Sequence, residues 1–183
     1  MGGAVSLGNH NIRVTLPEIL TDNMKTASLS ELRKEIVQLP QEETAALLVR
    51  LAKYSKENKE LLHYLLYEAD FEEGYIDKVK EMIRQEFSQL NRSKIQFVKK
   101  GLQRILRTLK KHIKYSGKKE TEIELLLFFC EQIVQAKIRM DRYPVIMNLY
   151  IRQLTAIEKA VQQLDEDLRH DYSEQIERAV MGI

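Results

Sequence analysis

Residues that interrupt helices are scarce in this chain, which has seven Gly and three Pro among 183 residues. Such scarcity favours long helices. The chain also has no Trp, although it has eight Tyr and five Phe. No stretch of about 18 apolar, uncharged residues is present, which argues against an ordinary transmembrane helix.

The sequence contains a single cysteine, Cys130, within the apolar run ELLLFFCEQIV. One cysteine can form neither an intramolecular disulfide nor a cluster of thiolates that would hold zinc. The first residues, MGGAVSLGNHNIRVTLPEILTDN, lack the basic start and apolar middle of a secretory signal. We therefore expect a cytoplasmic protein in a reducing compartment.

The length and composition are those of one globular domain. Hydrophobic residues make up 44% of the chain and charged residues 31%, which is enough to bury a continuous core. Residues 1–23 are rich in Gly and Asn, so we expect a flexible N-terminal arm there. We expect residues 24–183 to form a single all-helical domain.

Apolar residues spaced three and four apart recur along the chain after residue 28, which indicates amphipathic helices. Ser28 with Glu31 has the spacing of a capping box, and Pro40 and Gly117 are typical of helix ends. The segment 121–138 is apolar on more than one side, so we expect it to be central. The predicted helices span about 28–39, 41–54, 59–67, 75–90, a basic helix that is entered through Asn91 or Ser93 and ends at 116, then 121–138, 144–164 and 165–182.

About eight helices with short links and no convincing strand predict an all-α fold of antiparallel helical hairpins. The lengths of the first helices suit an irregular, HEAT-like stack. No fixed repeat period supports a named repeat family. A stack and a compact bundle both remain open.

The run from Arg92 to Lys119, RSKIQFVKKGLQRILRTLKKHIKYSGKK, contains eleven Lys and Arg and no carboxylate. The rest of the chain contains the remaining 18 basic residues and all 27 acidic residues, so it carries a charge of −9. The protein is thus a basic helix on an acidic body. The candidate contacts for an acidic ligand or phosphate are Lys99, Lys100, Arg104, Arg107, Lys110, Lys111 and Lys114.

Three interpretations of this basic helix remain open. In the plainest, it is a solvated helix whose positive charge balances the negative charge of the rest of the protein. In the second, its cations neutralise successive nucleic-acid phosphates. In the third, they dock an acidic protein surface, a second copy of the chain or an anionic membrane.

Signals of catalysis or metal binding are weak. Glu60 and His63 have the Glu-x-x-His spacing of di-iron bundles, but the only comparable pair, Glu166 and His170, has a different spacing. No Gly-rich phosphate loop, nucleophile elbow or Cys/His dyad is present. We predict no enzyme activity, no metal and no cofactor.

Aromatic residues cluster around residue 70. Tyr64, Tyr67 and Tyr75 lie near Phe71 in the sequence. They could form an interaction surface, but the rim of a core uses Tyr in the same way, and we favour the rim.

The segment SLSELRKEIVQLPQEETAALLVRLAKYSKENKELLHYLL resembles the opening of a family of uncharacterised bacterial all-helical proteins, a domain of unknown function. The resemblance covers roughly the first third of the chain, and Arg33 stands where the pattern has Lys. It implies a helical fold and no catalytic residue. The likeness is carried by Leu29, Ser30, Leu32, Glu42, Glu43, Lys56, Asn58, Lys59, Glu60 and Leu61.

Together these features predict a non-enzymatic helical binding or scaffold module for a protein partner. The partner would be an acidic protein surface or a second copy of the chain. The alternative is a nucleic-acid-associated protein that binds phosphates through the basic helix 92–119.

Overall fold

The structure is a computed structural model that describes residues 26–181. This part of the chain forms eight α-helices and one short 3-10 turn, Met140–Arg142, with no strand, so the all-α prediction is confirmed. A HEAT-like stack stays a prediction. The helices are α1 (Leu29–Gln38), α2 (Gln41–Tyr54), α3 (Lys56–Tyr67), α4 (Glu72–Ser88), α5 (Ile95–Ser116), α6 (Lys119–Gln135), α7 (Pro144–Val161) and α8 (Glu166–Met181).

The chain divides into two compact units between Leu48 and Val49. The described part of the first unit has no buried residue. Its helix α1 begins with the predicted capping box: the Glu31 amide donates to Ser28 Oγ at 3.3 Å, and Glu31 Oε2 accepts from the Ser28 amide at 2.8 Å. The single domain predicted for residues 24–183 stays a prediction, and the arm predicted for residues 1–23 lies outside the described residues.

Two helices of the second unit begin three residues earlier than predicted. Ser55 alone separates α2 from α3, because its Oγ accepts from the Asn58 amide at 3.0 Å and caps α3 directly. Helix α4 begins at Glu72. The negative charges of Glu72 and Glu73 in its first turn interact favourably with the positive end of the helix dipole. Gly74 therefore lies inside α4 and not in the predicted turn. A Cβ at this position would lie 2.2 Å from the Phe71 ring, so the glycine permits close packing there.

The core of the second unit is built around α6, as its apolar sequence predicts. Helix α6 packs against α4, α5, α7 and α8. Within it, Phe129 is fully buried and its ring meets that of Phe87 edge-on, with 5.7 Å between centroids. The hydroxyl of Tyr150 on α7 donates to the carbonyl of Ala179 on α8 at 2.7 Å, which joins the last two helices.

Local chemistry at the ends of α5 and α6 agrees with the sequence. Gly117 follows α5 with φ of 68°, a left-handed conformation that glycine adopts without strain, so the predicted end is confirmed. Cys130 on α6 is buried, and burial raises the pKa of its thiol to about 12. No helix in the range 26–181 combines the length and apolarity needed to cross a membrane.

Candidate functional site

The basic helix α5 presents opposite faces to the core and to solvent. Val98, Leu102, Ile105 and Leu109 recur at spacings of four and three and are all buried. Such spacing places them along one side of the helix. The lysines and arginines occupy the remaining surface, which confirms the amphipathic character expected of this segment.

The seven predicted contact residues are not equivalent in the structure. Arg104 forms an ion pair with Glu86 of α4 at 3.5 Å, and Lys111 donates to Glu60 of α3 at 2.5 Å. Lys99 is half-buried. Arg104 and Lys111 therefore contribute to the fold, and Lys99 is partly shielded from a ligand. Carboxylates of the acidic body therefore pair with two cations of the basic helix, as the plainest interpretation predicts.

The other four predicted residues are exposed, and we call them the basic stripe: Lys100, Arg107, Lys110 and Lys114. Within residues 26–181, none of the four forms an ion pair with a carboxylate. Lys100, Arg107 and Lys114 are spaced seven apart, so they lie on one line of the helix about 10.5 Å from one another. The stripe thus presents, over about 21 Å, four cations without a carboxylate partner among residues 26–181.

A cleft of ≈ 670 Å³ lies between α3 and α4 with α5 as its floor, and we call it the aromatic cleft. The α3 wall is formed by Lys56, Lys59, Glu60, His63 and Tyr64. The α4 wall is formed by Tyr75, Lys78, Val79 and Met82. The volume lies within the range of small-molecule sites. The residues that line the cleft are Lys56, Lys59, Glu60, His63, Tyr64, Glu68, Tyr75, Lys78, Val79, Met82, Thr108, Lys111, His112 and Tyr115.

Glu60 connects the α3 wall of the cleft to its floor. Its Oε2 accepts from Lys111 Nζ and from the Tyr115 hydroxyl, the latter at 2.9 Å. The hydrogen bond from Lys111 lowers the pKa of Glu60 despite the opposing effect of burial. In the described part of the chain, no group of three or more His, Cys, Asp or Glu side chains could hold a metal ion. Glu60 of the Glu-x-x-His pair instead joins α3 to Lys111 and Tyr115 of α5.

His112 lies at the base of the cleft beside the α4 wall. The Tyr75 hydroxyl lies 2.9 Å from His112 Nδ1 and 3.3 Å from the His112 carbonyl oxygen. Burial lowers the pKa of His112, and the nearby charge of Lys111 lowers it further, so the imidazole is neutral at pH 7. In the sequence, His112 lies among lysines, and nothing there indicates this position.

A second polar cluster lies at the start of α4, where Glu72 accepts hydrogen bonds from several helices. Its Oε1 accepts from Ser116 Oγ at 2.5 Å and from Thr121 Oγ1 at 2.6 Å. Its Oε2 accepts from the Tyr64 hydroxyl at 2.7 Å and pairs with Lys118 at 3.1 Å. This carboxylate therefore joins α3, α4, α5 and α6 beside the cleft.

The tyrosines near residue 70 divide between core and surface. Tyr64 and Tyr75 are buried, which confirms for these two the prediction of a core rim, whereas Tyr67 and Phe71 are exposed.

Helix α3 also carries an exposed apolar surface, the leucine face, formed by Leu62, Leu65 and Leu66. Leu65 and Leu66 are exposed, and Leu62 is half-buried. Leu62 and Leu66 lie two positions after Glu60 and Tyr64, which puts them on nearly the opposite side of the helix from those two residues. The leucine face therefore points away from the cleft.

Comparison with protein-family models, with curated proteins and with solved structures finds no significant match for this chain. The resemblance of its first third to uncharacterised bacterial helical proteins stays a prediction.

Proposed function

We propose that this protein is a non-enzymatic helical binding module that docks an acidic helical segment of a protein partner through the basic stripe. The observation that carries the proposal is the absence of an ion-pair partner, within residues 26–181, for the four stripe cations. Arg104 and Lys111 pair with the acidic body, whereas the stripe cations, three of them aligned at a spacing of seven, form no ion pair within residues 26–181. The stripe instead leaves a positive surface facing outward.

Size and surroundings favour a short acidic helix over a nucleic acid. The stripe is about 21 Å long, the length of about 14 helical residues. A longer polyanion would extend beyond the stripe over a body that carries a charge of −9 outside the basic run. A helix with its acidic face matched to the stripe avoids that repulsion.

The leucine face of α3 is a separate exposed apolar surface, and such a surface suits contact with a protein. Protein interfaces combine apolar contacts with a charged rim, whereas a phosphate backbone gains nothing from exposed leucines. Exposed ion pairs contribute about 0.2–1 kcal/mol each, so four of them supply at most about 4 kcal/mol. The stripe therefore sets the orientation and association rate of the partner, and apolar contacts must supply the rest of the affinity.

The test compares two reversed-charge proteins of equal net charge. The stripe variant carries Lys100→Glu, Arg107→Glu and Lys114→Glu. The control carries Arg142→Glu, Arg152→Glu and Lys159→Glu, which replace exposed cations at or near α7. Both changes lower the net charge equally, so a difference between them reports position alone.

The probe is a labelled helical peptide with glutamates spaced seven, three and four apart and leucines on the adjacent face. A scrambled peptide of the same composition and a DNA duplex serve as the other arms. We expect the wild type and the control to bind the patterned peptide at least about fivefold more tightly than the scrambled one. We expect the stripe variant to lose about tenfold or more in affinity.

Three outcomes would contradict the proposal. Equal peptide binding by the stripe variant and the control would show that the stripe does not dock the helix. Tighter binding of the duplex at about 0.15 M salt, lost in the stripe variant, would favour the nucleic-acid function. Sedimentation that shows stripe-dependent dimers in the absence of peptide would identify a second copy as the partner.

A further inference from the structure

The aromatic cleft is separate from the basic stripe, since none of the four stripe residues lines it. Its ≈ 670 Å³ would accommodate a drug-sized molecule. Val79 and one tyrosine from each of the three helices line the cleft but are mostly buried, so each presents only a small part of its side chain, and Met82 is half-buried. The charged lining residues lie mainly on or just after α3, so the aromatic and apolar part of the cleft has a charged edge.

Four aromatic rings follow one another around the cleft. The rings of Tyr64 and Tyr75 lie 4.6 Å apart, those of Tyr75 and His112 lie 5.9 Å apart, and those of His112 and Tyr115 lie 5.7 Å apart. Hydrogen bonds to Glu72, His112 and Glu60 fix the three tyrosines, as described above. The rings are therefore held in place before a ligand arrives, which lowers the entropic cost of binding.

The charges at the cleft favour an anion. Four lysines and two glutamates line it, which leaves two positive charges. Lys78 pairs with Glu68 at 2.7 Å and Lys111 pairs with Glu60, but Lys59 forms no ion pair with any carboxylate in the range 26–181. Lys59 therefore offers an ammonium group to a ligand at the edge of an apolar surface.

We propose that the aromatic cleft binds an organic monoanion with an aromatic or aliphatic body. The body would lie against the rings of Tyr64, Tyr75 and Tyr115, and the anionic group would meet Lys59. Carboxylate and sulfonate groups carry this single charge at pH 7, whereas a phosphate monoester carries about −1.5 to −2. This binding activity goes beyond the docking of an acidic helix and uses different residues.

Two fluorescent dyes with nearly the same body test the proposal on the full chain. Anilinonaphthalenesulfonate carries a negative charge, and N-phenylnaphthylamine is neutral. Lys59→Gln should weaken binding of the sulfonate about three- to tenfold and leave the neutral dye unaffected. The matched control is Lys53→Gln, which changes an exposed lysine of α2 that does not line the cleft and should alter neither dye.

A second set of variants locates the bound body. Thr108→Trp on the floor and, independently, Met82→Trp on the α4 wall fill the cleft and should abolish binding of both dyes. The double variant Leu65→Ser, Leu66→Ser removes the leucine face and should leave both dyes bound. Far-UV circular dichroism and urea midpoints establish that each variant is folded, and the two cleft-filling variants do not depend on each other.

Displacement of the sulfonate dye then separates the ligand classes. Dodecanoate, naphthoate and phenyl phosphate compete in parallel, and the tightest competitor identifies the preferred body and head group. The proposal is overturned if Lys59→Gln behaves like Lys53→Gln. It is also overturned if dye binding follows the leucine-face variant instead of the two Trp variants. Neither result bears on the basic stripe, so this proposal and the proposed function can fail separately.

Discussion

Replacing Glu72 by Gln tests how much one carboxylate stabilises the junction of α3, α4, α5 and α6. The carboxylate accepts from two hydroxyls, Ser116 and Thr121, through one oxygen and from Tyr64 and Lys118 through the other. Glutamine keeps one acceptor oxygen and replaces the other with an amide donor, which cannot accept the hydrogen bonds that the lost oxygen accepted. The variant therefore loses the charge and leaves part of the donor set unsatisfied.

The expected magnitude follows from the pKa of Glu72. Burial by itself raises this pKa, but the hydrogen bonds from Ser116, Thr121, Tyr64 and Lys118 outweigh burial and lower it from 4.5 to about 2. Such a depression corresponds to about 3 kcal/mol of folding free energy at neutral pH. The side chain is only 16% exposed, so solvent screens these bonds little. Because glutamine keeps some of them, we expect a loss of about 1–3 kcal/mol.

The pH dependence gives the sign of the effect. The folded-state pKa of Glu72 lies below its unfolded value, so its contribution is complete above about pH 4.5 and is lost as the pH falls toward about 2. The stability difference between the wild type and Glu72→Gln should therefore be largest at pH 7. It should shrink progressively between about pH 4.5 and 2.

Urea unfolding followed by far-UV circular dichroism at several pH values measures this difference. Glu73→Gln is the matched control, because Glu73 is exposed and lies next to Glu72 in the same turn of the helix. This substitution removes the same charge as Glu72→Gln. The control should change stability by less than about 0.5 kcal/mol. The reasoning is refuted if the two variants lose equal stability at pH 7, or if the loss in Glu72→Gln does not diminish in acid.

Two further predictions concern the core and the first helix. Phe129→Ala should lower the free energy of unfolding by about 3–5 kcal/mol, because it empties a fully buried position against Phe87, whereas Leu66→Ala on the leucine face should cost less than about 1 kcal/mol. Urea midpoints of the two variants would contradict this if they were equal. Ser28→Ala removes the capping box of α1, so amide hydrogen exchange in the first turn should speed up several-fold. The urea midpoint should not change, since α1 has no buried residue, and a large shift would count against that account.

Helix positions could be predicted where a local signal determines them. Ser28 with Glu31 starts α1, and Gly117 ends α5 in the left-handed conformation that its sequence position predicts. The starts of α3 and α4 could not be predicted correctly, because a polar segment is equally typical of a link and of a first helical turn. One serine cap at Ser55 and a pair of glutamates at the start of α4 were enough to extend each helix by three residues.

The aromatic cleft could not be predicted because its contacts join distant parts of the chain. Glu60 and Lys111 are 51 residues apart in sequence, and Tyr75 and His112 are 37 apart. Helical periodicity places each residue on a face of its own helix, but it does not say which faces meet. The sequence singled out Tyr64, Tyr75 and the Glu60–His63 pair separately, and these residue types suit a core rim or a polar surface as well as a site.

The same limit explains how the basic helix divides into two roles. Lys100, Arg107 and Lys114 form one row with a spacing of seven, and Arg104 and Lys111 form a neighbouring row with the same spacing. Only the packing of α3 and α4 assigns Glu60 and Glu86 to the second row. A charge reversal that includes Lys111 would therefore disturb the fold and binding together. Reversal of the first row changes three of the four proposed docking charges without breaking an ion pair within residues 26–181, so a loss of peptide binding in that variant reports on docking.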